Sequence, residues 1–243
     1  MLRARAYGES DKIVTFLTRD FGKLSGIAKG AAKSKKRFVA ALEPFTHVQL
    51  GFRNRPQADL CFIESADIVR AARHAALDLD RYAYSTYVVE LIDSMVIGRE
   101  AEPHVFELVE EVLALIDSRA NASPTPEWLR HFEVRLLGLS GLEPQLESCG
   151  RCGLPASSFA DAPRFNPRTG TLSCGPCSDG AGMRLSMSAA NAILELRRRP
   201  ATEVAALPSS LAAEIRVALQ TFIQYHLHRP LKSPALLRQI LDA

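Results

Sequence analysis

An α+β, multidomain fold is what this 243-residue sequence predicts: a small antiparallel β-barrel, then an all-α helical domain with an inserted four-cysteine zinc finger. Three observations lead there. Up to Arg70 short runs rich in β-branched and aromatic residues are broken by turn residues. From Leu79 onward apolar residues recur every three or four positions, and four of the five cysteines form two Cys-x-x-Cys pairs. The expected boundaries are 1–76 for the barrel and 77–243 for the helical domain, with the insert at about 145–182.

In the barrel, Tyr7-Gly8-Glu9-Ser10 reads as a turn, residues 12–18 as a strand and Arg19-Asp20-Phe21-Gly22 as the next turn. Residues 23–29 make a strand that Gly26 bends. In residues 45–52, Thr46, Val48, Leu50 and Phe52 alternate with His47, Gln49 and Gly51, a period of two with one apolar face. Arg53-Asn54-Arg55-Pro56-Gln57 turns the chain back into a strand over 60–69. Four or five strands with no crossover helix favour a small antiparallel barrel.

The helical half begins with Leu79, Tyr82, Ala83, Tyr87, Leu91 and Met95 on one expected helix face. Pro103 opens a second helix with Phe106, Val109, Leu113 and Ile116 apolar, after which residues 121–125 form a loop. Thr125-Pro126 is a cap followed by a first-position proline for a third helix, which Gly138 and Gly141 end. Beyond the cysteines, Ser188 caps a helix through Ile193 and Leu196, another runs over 211–228, and Ser233-Pro234 precedes a short helix over 235–241.

Cys149-Gly150-Arg151-Cys152 and Cys174-Gly175-Pro176-Cys177 are separated by 21 residues. Glycine and proline let each loop curl so that two sulfurs meet one ion, and tetrahedral zinc takes four such ligands at about 2.3 Å. Four thiolates close the coordination shell, so one structural zinc ion is expected, with an iron–sulfur cluster as the lesser option. Cys-Gly-Pro-Cys is also a redox pattern, but the strand and helix that should flank it are missing. Cys61 sits in a strand and reads as a buried filler.

Net charge is only +3, yet it is uneven. Residues 1–80 carry 14 basic and 9 acidic side chains, residues 81–148 carry 5 and 12, and residues 149–243 carry 11 and 6. The strongest cluster is Lys23, Lys29, Lys33, Lys35, Lys36 and Arg37, with no acidic residue between its ends, and Arg53 and Arg55 extend it at the barrel rim. Such a run suits a phosphate backbone. Arg3 and Arg5 line the first strand, and Phe21, Phe38, Phe45 and Phe52 are candidate stacking platforms. A second basic surface comprises Arg197, Arg198, Arg199, Arg216, Arg229 and Lys232.

The exclusions are as telling. No apolar run approaches the roughly 18 residues of a membrane span, and the basic and polar opening lacks a secretory signal, so a cytoplasmic setting is expected. The six histidines show no metal-ligand or nucleophile spacing, and neither a phosphate-binding Gly-rich loop nor a Gly-x-Ser-x-Gly elbow is present. An enzyme is therefore not expected. A zinc-containing RNA- or transcription-associated module without annealing activity shares the basic barrel and the cysteines, and stands as the alternative.

The runs Tyr7-Gly8-Glu9-Ser10-Asp11-Lys12-Ile13-Val14, Thr18-Arg19-Asp20-Phe21-Gly22-Lys23, Ala28-Lys29-Gly30-Ala31 and Leu42-Glu43-Pro44-Phe45 carry a family likeness, as do Ser140-Gly141-Leu142-Glu143-Pro144 and Arg229-Pro230-Leu231-Lys232-Ser233. In that order they resemble the RecO family of bacterial DNA repair proteins over nearly the whole chain. The resemblance implies an N-terminal OB-fold, a C-terminal helical domain and a zinc insert. It implies a mediator of homologous recombination in the RecF pathway that binds single- and double-stranded DNA and anneals strands coated by single-stranded DNA-binding protein. Such a mediator works with RecR to load RecA, as a monomer when free, among the DNA of the nucleoid. The acidic, apolar-ended tail of single-stranded DNA-binding protein suits a basic groove on the helical domain, with Arg197, Arg198, Arg216 and Lys232 as contact candidates. In one respect the sequence departs from the family: residues 2–6 enter the first strand at once, where members usually have several residues before it. Barrel closure is the feature this bears on.

Overall fold

The computed structural model describes residues 1–54, 58–118 and 123–241. By packing, the chain divides into two compact units, Met1–Ser123 with Lys232–Ala243, and Pro124–Leu231.

The first unit holds five strands, β1 (Arg3–Tyr7), β2 (Asp11–Thr18), β3 (Gly22–Ala28), β4 (His47–Arg53) and β5 (Cys61–Arg70), in the order β1-β2-β3-β5-β4. Neighbours are antiparallel except β3 and β5, which pair in parallel where Gly26 meets Cys61. The glycine is required there, because a Cβ on residue 26 would lie 2.7 Å from the Cys61 sulfur. Val14, Phe16, Leu24, Phe38, Leu42, Cys61 and Ile63 fill the concave side. Burial pushes the Cys61 thiol up, as suits a filler.

The expected barrel does not close. Among the described residues β1 pairs only with β2 and β4 only with β5. Before either edge strand begins, the Phe45 N–H donates to the Met1 carbonyl at 2.9 Å and the Met1 amino group donates to the Thr46 carbonyl at 2.7 Å. The pairing register of β4 on β5 shifts at His47/Val48 and again at Gly51/Phe52, and such bulges bend a strand away from a straight ladder. The result is a curled sheet with a seam between β1 and β4.

Strand gives way to helix between Arg70 and Leu79, the ends of β5 and of α1 (Leu79–Met95). Asp78 caps α1 by accepting the Arg81 N–H at 3.1 Å. The expected apolar face is buried in part: Ala83, Tyr87 and Leu91 are buried as expected, with Tyr84, Val88 and Ile92 beside them, while Leu79 and Tyr82 are exposed. Apolar residues surround most of α1, so its period marked only part of the inward side. In this unit α1 packs on α2 (Pro103–Asp117), which starts at its proline as expected, and on α6 (Ser233–Leu241). Glu90 fixes the start of α6 by accepting from the Lys232 and Ser233 N–H groups at 3.0 and 2.8 Å.

The second unit packs α3 (Pro126–Leu139), α4 (Met187–Arg198) and α5 (Ser209–His226) around Phe132, Leu136, Ile193, Leu196, Ile215, Leu219 and Phe222. Thr125 stands at the α3 cap but makes no side-chain capping bond. The cap of α4 is Ser186, not Ser188: its hydroxyl accepts the Ala189 N–H at 3.1 Å and donates to Glu214 at 2.7 Å, so a distant carboxylate decides between two serines. This half is not purely α. Between α3 and α4 lies a small sheet, β6 (Gln145–Cys149), β7 (Arg164–Asn166), β8 (Thr171–Ser173) and β9 (Met183–Arg184), in the order β6-β8-β7-β9. Phe165 of β7 stacks edge-on against Phe222 of α5 at 5.7 Å, which ties the insert to the helices.

Candidate metal centre and nucleic-acid surface

The cysteine pairs meet because β6 and β8 are parallel neighbours that end side by side. Cys149 closes β6, and the chain turns back so that the Gly153 N–H reaches the Cys149 carbonyl at 2.9 Å. Cys174 follows β8 and opens a short 3₁₀ turn over Gly175–Cys177, with the Cys177 N–H donating to the Cys174 carbonyl at 3.0 Å. Arg151 joins the two turns by donating to the Cys177 carbonyl at 3.2 Å.

The four sulfurs lie within 4.8 Å of one another, and those of Cys152 and Cys174 are 3.8 Å apart. A zinc–sulfur tetrahedron with bonds of about 2.3 Å has an edge of about 3.8 Å. The donor set therefore fits one ion. Burial pushes the Cys149 thiol up, but backbone N–H groups of Cys174, Cys152 and Arg151 outweigh it and hold the group at about 6. Hydrogen bonding with the Cys152 and Cys174 thiols pushes Cys177 up to about 12. One thiolate is thus prepared, and a cation would drive the remaining protons off. Among the described residues this is the one such cluster of metal-ligating side chains.

The basic run 29–37 is anchored rather than loose. Gly30, at φ 68, donates its N–H to the Asp11 carboxylate at 2.8 Å, and Ala32 donates to the Ser10 carbonyl at 2.9 Å. At the other end the Ser34 hydroxyl accepts the N–H groups of Arg37 and Phe38 at 3.1 and 3.2 Å. Ala31 and Phe38 are buried in the sheet core. Phe38 is therefore a pin and not a stacking platform. Between these anchors Lys33, Lys35 and Lys36 stand exposed, as does Lys29, and none of the four has an ion pair among the described residues. Arg37 is exposed but occupied, with its guanidinium donating to the Lys29 carbonyl at 2.6 Å and lying 4.5 Å over the Phe38 ring. Asp11 and Ser34 set the shape of the run, and sequence reasoning missed both. The Gly30 N–H holds the Asp11 carboxyl below its usual range.

The remaining expected DNA contacts differ in availability. Lys23 is largely buried, with its ammonium donating to the Asp93 carbonyl at 2.5 Å. Arg53 is exposed and paired with Glu64. Arg55 lies outside the described residues. Phe21 is half exposed and packs edge-on against Phe52 at 5.6 Å, while Phe45 is half-buried.

In the second basic cluster the three consecutive arginines are engaged. Arg197 pairs with Glu143 and reaches Glu147 at 3.4 Å, Arg198 reaches Glu147 at 3.4 Å and Glu195 at 3.6 Å, and Arg199 reaches Glu195 at 3.3 Å. Arg216 is exposed on α5. Lys232 is exposed and belongs to the other unit.

Comparisons with known proteins agree with this layout. Residues 1–72 match the family model for the recombination protein O N terminal, and residues 76–235 match that for the C terminal. Similar proteins include the DNA repair protein RecO of Anaeromyxobacter sp. strain Fw109-5, 39% identical over 100% of this chain and 93% of the relative. That of Myxococcus xanthus is 37% identical over 96% and 93%, and that of Symbiobacterium thermophilum 34% over 100% and 96%. No helix is long and apolar enough to cross a membrane, among the described residues.

Proposed function

The chain belongs to the RecO family of DNA repair proteins, and from that premise we propose that it is a non-enzymatic recombination mediator of the RecF pathway. It binds single-stranded and duplex DNA, anneals complementary strands coated by single-stranded DNA-binding protein, and helps RecR load RecA. The observation that carries the reading is the anchored run with Lys29, Lys33, Lys35 and Lys36 facing solvent. Lysines that track a backbone displace condensed counterions, which gives affinity without sequence preference and a steep salt dependence. Cancelling the repulsion of two backbones while leaving base edges free is what annealing needs.

The barrel-like unit over 1–76 supplies the DNA surface, and the cysteine insert within 77–243 holds one structural zinc ion on Cys149, Cys152, Cys174 and Cys177. Bound there, zinc locks the two turns together. The protein acts as a monomer in the cytoplasm, among nucleoid DNA. The acidic tail of single-stranded DNA-binding protein docks on the helical half, with Arg216 and Lys232 exposed as contacts and Arg197 and Arg198 already held by carboxylates. The deciding measurement is annealing of complementary strands coated by that binding protein, with and without its tail. Acceleration that needs the tail is expected, and annealing no faster than the spontaneous rate refutes the reading.

A further inference from the structure

We propose that the groove between β1 and residues 40–46 and 71–76 is a nucleotide pocket, which takes a phosphate of single-stranded DNA on Arg5 and Arg73 and an unstacked base against Tyr82 and Phe45. This rests on the DNA-binding reading above and gives it a site outside the lysine run. The groove has a volume of about 560 Å³, within the range of about 300–1,000 Å³ typical of ligand pockets. Three cations and one carboxylate line it. The carboxylate, Glu43, is already paired with Lys12 at 2.9 Å. Arg5 and Arg73 are exposed and have no ion pair among the described residues, so the surplus charge faces the groove.

The aromatic side of the groove is Tyr82, 45% exposed, standing edge-on to Phe45 with ring centres 5.7 Å apart. Much of the remaining wall is alanine, which leaves a flat group room beside the rings. Among the described residues only Ala40 and Phe45 are non-glycine residues with positive φ, at 55° and 67°, and both line this groove. Such strain is kept where the surroundings enforce it, often at ligand sites. The groove also continues the lysine surface: Lys12 on its wall pairs in register with Ala28, directly before Lys29.

Negative charge next to a flat π-face is the chemistry of a single-stranded nucleic acid, whose phosphates seek arginine and whose free bases stack on aromatic rings. An acidic peptide would satisfy the arginines and leave the rings unused. A duplex hides its base faces. The pocket therefore discriminates single strands from duplexes, which the lysine run alone cannot do.

The test compares a labelled oligothymidylate with a duplex of equal length, using the full chain. Tyr82→Ala is expected to weaken oligothymidylate binding about tenfold and duplex binding less than twofold, with Tyr82→Phe restoring it. Arg5→Glu with Arg73→Glu should lower the single-strand salt slope by about 1.4. Equal losses on both polymers, or none on either, overturn the pocket while the DNA-binding reading stands. If the unaltered protein binds neither polymer, that reading falls first. An acidic peptide that binds the unaltered chain but not the arginine variant, with oligothymidylate binding unchanged in both, makes the groove a peptide site and also overturns the proposal. All three side chains are exposed, and unchanged melting temperatures would distinguish removal of a binding group from unfolding.

Discussion

Two basic clusters look alike in the sequence and differ in the fold. Residues 29–37 project four lysines without carboxylate partners among the described residues, whereas residues 197–199 commit all three arginines to Glu143, Glu147 and Glu195. The difference is one of geometry. The first cluster bulges from a sheet corner and is pinned by main-chain and core contacts, which leave the ammonium groups outside. The second closes a helix, where cations favour the negative end of the dipole, and faces the segment that leads into the cysteine centre. Charge that is present is therefore not charge that is available.

The largest expected effect comes from breaking the scaffold of the second cluster. Cys174→Ser, or a strong chelator, should remove the metal and unfold the insert, since structural zinc in small domains is worth about 10–16 kcal/mol. Glu147 sits in β6 two residues before Cys149, so loss of β6 should also take this carboxylate from Arg197 and Arg198, which keep Glu143 and Glu195 as partners. Faster amide exchange over Gln145–Cys149 with loss of one metal ion per chain would show this; exchange unchanged after demetallation would contradict it. The pH dependence has a definite sign. All four thiols must shed protons to bind, Cys149 is poised near 6 and Cys177 near 12, so affinity should fall steadily as pH falls.

A smaller effect separates the clusters directly. Replacing Lys33, Lys35, Lys36 and Arg37 by alanine should weaken single-strand binding about a hundredfold at moderate salt and flatten the log–log salt slope by about 2 to 3, roughly 0.7 for each phosphate no longer neutralised. Arg197→Ala with Arg198→Ala should leave binding within about twofold and cost only about 1 kcal/mol of stability, as surface ion pairs do. If the two sets of substitutions weakened binding equally, the distinction between open and engaged charge would fail.

The smallest effect concerns the anchor. Asp11→Asn should speed exchange of the Gly30 amide and weaken DNA binding about twofold, with little change in melting temperature. The Asp11 carboxyl is held below its usual range, so its contribution is complete above that range and disappears only as pH falls through the depressed value. Exchange at Gly30 should therefore be insensitive to this group between pH 7 and 5, and a rise in that window would reject the anchor.

The sequence by itself determined the elements and the ligands. Strand periods, prolines at the first turns of α2 and α3, and two cysteine pairs are local signals that dictate their own conformation or chemistry whatever surrounds them. Tertiary structure decided the rest. The buried side of α1 was legible only in part, at Ala83, Tyr87 and Leu91, because apolar residues surround the helix, and Ser186 prevailed over Ser188 because Glu214, 28 residues further along the chain, folds back onto it. The seam between β1 and β4 depends on bulges that shift pairing by one residue, which carry no composition signal. Above all, whether a lysine or arginine meets solvent or a carboxylate depends on residues far along the chain, as Lys23 and Asp93 show across 70 positions. Such pairings arise only when the chain is packed, because Coulomb attraction acts on distance in space and is indifferent to distance in sequence.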